Sequence, residues 1–229
     1  MSAKGDFFPR RINDYVPAMA YAADVRAADG IGTIDIPAPA ASSATIIAAA
    51  LAANAVIGVE MFTTGPYQMD AKFGRNVVLA ASAATGSSAV YRIRGKDYLG
   101  QPMYEDITVA NADGTTPKVG VKAFKWIESI KAVGVTAANA VTLSVGTGNV
   151  LGLPYKLLRM LSELVSKAIP AAGTAVVGLA TGTAQTGTTA DTKGTYAPNA
   201  AVLPDGTRTY KITGIWDKGN LHGDKQAFV

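Results

Sequence analysis

Val90-Tyr91-Arg92-Ile93-Arg94 places large apolar side chains at 91 and 93 and arginines at 92 and 94. Successive side chains of a β-strand point to opposite faces, so Tyr91 and Ile93 belong to a buried face and Arg92 and Arg94 to a solvated one. The next residues, Asp97-Tyr98-Leu99-Gly100-Gln101-Pro102, are turn formers and read as a hairpin loop. Residues 104–109 return as a partner strand. Glu105 and Asp106 are adjacent on that strand, so their carboxylates face opposite ways, and as surface charges they suit Arg92, Arg94 and Lys96 across the hairpin.

Outward from this hairpin the strand signal repeats. Residues 55–62, 77–81, 89–94, 122–130 and 141–145 are short β-prone runs bounded by Gly, Asn, Asp or Pro, and 171–180 and 210–216 resume the pattern. Two segments interrupt it. Residues 42–54, alanine-rich behind a serine cap, read as a short helix, and the apolar spacing of 155–165 also fits a helix. Gly146-Thr147-Gly148-Asn149-Val150-Leu151-Gly152 reads as a tight turn that uses glycine's access to positive φ. Strands joined by turns, without alternating helices, imply a mainly β protein: an antiparallel β-sandwich or barrel of jelly-roll type, with one or two short helices. Residues 1–41 form an extended N-terminal arm, broken by Pro9, Pro37 and Pro39, and residues 42–229 form the β-rich core domain. Phe7, Phe8, Tyr15 and Tyr21 make the arm a docking element. Residues 181–195, nearly all Thr, Gly and Ala, form an exposed loop within that domain.

The composition fits a protein that works by contact. Of 229 residues only 17% are charged, against roughly 25% in ordinary soluble domains. Much of the hydrophobic 48% is alanine, and such weakly charged, small-residue surfaces suit burial in an assembly. The net charge of +4 is uneven: residues 1–60 carry four basic and six acidic side chains, residues 61–160 eleven and six, and the remainder six and five. The central excess suits an acidic partner. It lacks the dense basic stripe with interleaved aromatics that nucleic acid requires. The first residues, Met1-Ser2-Ala3-Lys4-Gly5-Asp6, precede no hydrophobic signal core, and the apolar run 44–59, interrupted by Asn54, is short for a bilayer span. Neither secretion nor a membrane partner is expected.

Phe73-Gly74-Arg75-Asn76-Val77, Gly95-Lys96-Asp97-Tyr98-Leu99-Gly100-Gln101-Pro102-Met103-Tyr104-Glu105 and Gly120-Val121-Lys122-Ala123-Phe124-Lys125-Trp126-Ile127 form an ordered set. Val145 to Tyr155, then Asp191 to Tyr196 and Pro204-Asp205-Gly206, extend it. Over residues 70–220 the set resembles structural proteins of tailed bacteriophages, most closely the head decoration or cement proteins. The resemblance implies a β-sandwich or barrel module on the outer surface of the phage head, made in the host cytoplasm. Its partners would be the major capsid protein and neighbouring copies of itself as a homo-oligomer. It implies no catalytic residue and no cofactor. Phe7, Phe8, Tyr15 and Tyr21 then become anchors to the shell, with loop contacts at Arg75, Tyr98, Gln101, Thr188 and Lys193. Lys122, Phe124 and Trp126 serve packing or contact. A neck, tail or head-fibre position in the same virion is the alternative.

Catalytic chemistry has little to draw on. There are no cysteines and a single histidine, His222, so thiolate metal sites are excluded and a Ser–His–Asp triad depends on one loop residue. His222 with Asp217 and Asp224 supplies one nitrogen and two carboxylates, where facial-triad metals take two histidines. The glycine spacing at 146–152 is one residue longer than a dinucleotide loop requires and lacks the Gly-Lys-Ser/Thr of a phosphate loop. A carbohydrate-binding module would display tryptophan, but Trp126 and Trp216 both sit in apolar strand patterns that favour the core.

Overall fold

The computed structural model describes residues 29–69, 73–98, 100–153, 156–166 and 195–217. These residues form a mainly β domain of twelve strands in three sheets, with their strand pairs antiparallel and helix limited to single 3-10 turns at Asn111–Asp113 and Ala200–Val202.

The first sheet has the order β1 (Asp29–Ile36), β12 (Tyr210–Asp217), β10 (Lys156–Val165). The second runs β11 (Thr195–Tyr196), β9 (Thr142–Gly152), β4 (Gly74–Ala81), β7 (Lys118–Phe124), and β2 (Ser43–Ala52) also pairs with β9. The third runs β3 (Tyr67–Gln68), β8 (Trp126–Ala132), β5 (Ala89–Lys96), β6 (Pro102–Val109). The hairpin read from the sequence is β5–β6, in unbroken register from Ala89↔Val109 to Lys96↔Pro102. Its loop closes through Gln101 N–H donating to Asp97 Oδ1 at 2.9 Å, with Gly100 at φ +81°. Tyr91 and Ile93 are fully buried and Arg94 is exposed, as the alternation requires.

Several expected elements take another form. Residues 42–54 contain strand β2, not a helix: Thr45, Ile46 and Ile47 are β-branched, and pairing with β9 outweighs alanine's helix preference, roughly half a kcal/mol per residue. Residues 155–165 contain strand β10. Register shifts between Leu157 and Arg159 and between Met160 and Ser162 each add a residue against β12, so the apolar positions lose their period of two and imitate helical spacing. Residues 55–62 are turns with one isolated bridge, Glu60↔Lys131, instead of a strand. The single strand expected at 122–130 is two. β7 ends at Phe124 and β8 begins at Trp126, and at Lys125 the chain passes from the second sheet to the third. Asp29–Ile36, within the segment read as an arm, pairs along its whole length with β12.

The stretch expected to turn at 146–152 is the far half of β9, and none of its glycines has positive φ. Glycine is needed there for close approach. A Cβ on Gly146 would lie 1.8 Å from Ser43 O, where β2 crosses, and one on Gly148 would lie 2.4 Å from Asn76 Oδ1. Between Arg75 and Val77 the partner register jumps from Leu151 to Thr147, so β9 bulges against β4. Two buried side chains of β4 hold that bulge. Arg75 Nε donates to Gly148 O at 2.9 Å, Nη2 donates to the same carbonyl, and Nη1 donates to Ala40 O at 2.6 Å. Asn76 Oδ1 accepts from Val150 N–H at 2.9 Å while its Nδ2 donates to Gly120 O of β7 at 2.7 Å.

The bulge separates two cores. Leu143 and Val145, before it, join Val77, Leu79, Tyr91, Ile93, Ile127 and Ile130 between the second and third sheets. Leu151 and Leu153, after it, join Tyr196 of β11 and Ile36, Tyr210, Ile212 and Trp216 of the first sheet. Trp216 is buried and its Nε1 donates to Gly32 O at 2.8 Å.

Asn76→Ala leaves Val150 N–H and Gly120 O unsatisfied, at about 1–3 kcal/mol for each buried group. The variant should therefore lose roughly 2–4 kcal/mol of unfolding free energy in a urea titration, whereas Val119→Ala, exposed on β7, should change it by less than about 0.5 kcal/mol.

Candidate interaction surfaces

The third sheet carries its charge on the face away from the core. β5 projects Arg92, Arg94 and Lys96 outward in one column, about 7 Å apart at two-residue strand spacing. The pairing register sets Arg92 between Asp106 and Lys131, Arg94 between Tyr104 and Ser129, and Lys96 between Pro102 and Trp126. Arg92 binds Asp106 through two bonds, Nε to Oδ1 and Nη2 to Oδ2, both 2.7 Å, and its guanidinium carbon lies 4.7 Å from the Tyr104 ring centroid. Lys96 Nζ lies 2.8 Å from Glu128 Oε1. Beside Lys131, Glu60 accepts from Ile130 N–H at 2.8 Å, from Phe62 N–H at 3.0 Å and from Ser129 Oγ. Burial pushes the Glu60 carboxyl up, but these hydrogen bonds and the Lys131 charge outweigh it and hold the group below its ordinary value. Arg94 is exposed, and its cross-strand neighbours carry no acid, so the face keeps one cation without a carboxylate partner among the described residues.

Glu105, expected on the surface, is buried. It accepts from Val121 N–H at 2.7 Å and Lys122 N–H at 3.3 Å, which ties β6 of the third sheet to β7 of the second. Lys122 is also buried and donates from Nζ to Tyr104 O at 2.9 Å. Asp106, on the opposite side of β6, is exposed and pairs with Arg92 as expected.

The other sequence-derived residues scatter. Tyr98, 37% exposed, and Gln101, half-buried, sit together at the tip of the β5–β6 hairpin, with Lys125 Nζ 5.8 Å from the Tyr98 ring centroid. Arg75 is no loop contact: it is 2% exposed and bonded to backbone carbonyls. Phe124 is core, and Trp126 is half-buried beside Lys96. Phe7, Phe8, Tyr15, Tyr21, Thr188, Lys193 and His222 lie outside the described residues, as do the strand expected at 171–180 and all of the loop expected at 181–195 except Thr195, which is buried in β11. Among the described residues no three His, Cys, Asp or Glu side chains converge as a metal site, and no helix is long and apolar enough to cross a membrane.

One buried acid escaped the sequence reading altogether. Glu163 of β10 accepts a hydrogen bond on Oε1 from the Tyr196 hydroxyl, and its Oε2 is buried with no partner among the described residues. Tyr196 meets Tyr210 edge-on, with ring centroids 5.7 Å apart. No local signal marks Glu163, because its segment has helical spacing and its partners lie far along the chain. Burial raises the Glu163 pKa, and the Tyr196 hydrogen bond only partly opposes that.

Comparison with family models, with curated proteins and with solved structures finds no match to this chain.

A carboxyl whose pKa is raised in the folded state binds protons more tightly there than in the unfolded chain. Its contribution to stability is therefore greatest below the ordinary value of 4.5 and falls as pH rises through the raised value. Glu163→Gln keeps an acceptor for Tyr196 and removes the buried charge. Urea titrations across the pH range should find this variant more stable than wild type above neutrality, with the difference shrinking towards pH 4.5. A difference that does not vary with pH would contradict the assignment.

Proposed function

We propose that this chain is a structural protein of a tailed-phage virion, a decoration or cement protein that binds the major capsid lattice and neighbouring copies and stabilises the head shell. The observation that carries this reading is the outward face of the third sheet. It gathers Arg92, Arg94, Lys96 and Lys131 with Tyr104 and Trp126 on one surface braced from behind by the core. Arg, Tyr and Trp are the residues that dominate protein interfaces, and Arg94 offers an unmatched cation to an acidic partner. The ordered resemblance to phage structural proteins supports the same reading. Two of its pieces, 73–77 and 145–152, pair with each other as β4 and β9 and contain the bulge and its locking residues.

The second and third sheets share one apolar core and are tied at β6–β7, and we read them as the two halves of an antiparallel sandwich. In this reading the mechanism is mass action: a protein that binds only the assembled shell stabilises that shell by an amount that grows as the logarithm of its free concentration over its Kd.

Reloading particles that lack this chain, from a phage that encodes it, tests the assignment. Arg94→Glu should reduce occupancy by about tenfold or more at subsaturating concentration, and wild-type binding should weaken as salt is raised. Lys211→Glu, on the first sheet, should bind as wild type does. Equal occupancy by wild type and Arg94→Glu would remove this face from the contact.

A further inference from the structure

A sheet edge presents a row of backbone donors and acceptors, and proteins guard such edges with charge, proline or a covering segment. Two flanks of this molecule are covered. Glu105 of β6 occupies donors of β7. Along β8, Gly58 N–H donates to Ala132 O at 2.9 Å and Met61 N–H to Ile130 O at 2.9 Å. Strand β2 is different. One edge pairs with β9, at Ser43, Ala48, Leu51 and Ala52, and no described strand pairs with the other.

The sequence leaves this edge unguarded. Its ten residues carry neither a charge nor a proline, and not one residue from Ile36 to Val59 is charged. Ala44, Ala49 and Ala50 are exposed and flat, and Ile46 is 52% exposed. Just past the strand, in the turns that follow it, Val56, Ile57 and Val59 are 72%, 51% and 54% exposed. Singly exposed apolar residues are ordinary, but this group follows in sequence a strand edge that no described strand pairs.

Charge selects the occupant. A charged partner would gain no ion pair along this edge and would lose hydration of its own ions. A second copy presents the same uncharged edge, and two-fold antiparallel pairing sets residue i against j and j against i with no like charges to repel. We propose that two copies of this chain pair edge to edge through β2, with Ile46, Val56, Ile57 and Val59 joining the interface. This deepens the reading that the chain binds neighbouring copies, and it names the surface.

Sedimentation equilibrium and light scattering on the full-length chain, across a micromolar concentration series, test it directly. Wild type should approach the mass of two chains. Ala50→Lys and Ile46→Lys, both at exposed positions, should weaken association by about tenfold or more, since a lysine on an edge opposes pairing, and should melt at the temperature wild type shows when diluted to monomer. Val119→Lys, exposed on β7, should associate as wild type does. A wild type that stays monomeric would overturn the proposal, as would any oligomer, of two chains or more, that Ala50→Lys leaves intact. The measurement needs no virion, so its failure removes β2 pairing and leaves shell binding by the third sheet to its own test.

Discussion

The bulge in β9, held by Arg75 and Asn76, is the constraint on which the rest of the molecule depends. A regular strand would run on in one register against β4. Here the strand gains residues between Thr147 and Leu151, so its two halves serve different cores. Distorting a ladder in the interior strips backbone groups of their partners, and each stranded group is costly. Arg75 and Asn76 supply those partners from the neighbouring strand, and Asn76 reaches β7 as well. Hydrogen bonds to a charged group contribute about 1.5–3 kcal/mol each, so the Arg75 bonds weigh heavily for one side chain. Glycine at 148 is the geometric condition, because any Cβ there would collide with Asn76.

The same device, a side chain completing the backbone of another strand, recurs where the sheets meet. Glu105 bonds β7 from β6, Glu60 bonds β8 from the preceding turn, and Tyr91 Oη donates to Ala53 O at 2.8 Å. These bonds join segments far apart in sequence, in a chain without cysteine to cross-link them. The outcome is a body in which buried polar residues such as Arg75, Asn76 and Glu105 stitch strand to strand. Its outer faces carry a small cationic patch on the third sheet and, at β2, an edge that no described strand pairs.

What the sequence disclosed follows from this division. Where a strand is regular and one of its faces is solvated, its alternation survives. Tyr91 and Ile93 opposite Arg94, and the Asp97–Gln101 loop, could be read residue by residue, and the burial of Trp216 was also expected. Where bulges shift the register, alternation fails, and β10 therefore looks helical. Phe124 and Trp126 flank the corner at Lys125 and are both aromatic, so two strands look like one. Alanine hides β2 because its preference is local whereas β2's pairing is not. Arg75 was expected as a loop contact, on the strength of the resemblance alone. Its acceptor on Gly148 is 73 positions away, a separation that no local pattern reveals. For Glu105 the decisive partners, Val121 and Lys122, likewise lie on another sheet.

A stitched body with a cationic aromatic face and an uncharged edge is suited to repetitive contact on a large assembly, as the proposed shell role requires. Copy number separates that role from any other. The most direct measurement is calibrated gel densitometry of purified particles, comparing this chain with the major capsid protein. The account predicts a ratio near one copy per capsid subunit, or one per few. Absence from purified particles would contradict the virion role itself, and a trace amount, as at a single vertex, neck or tail, would contradict the decoration role.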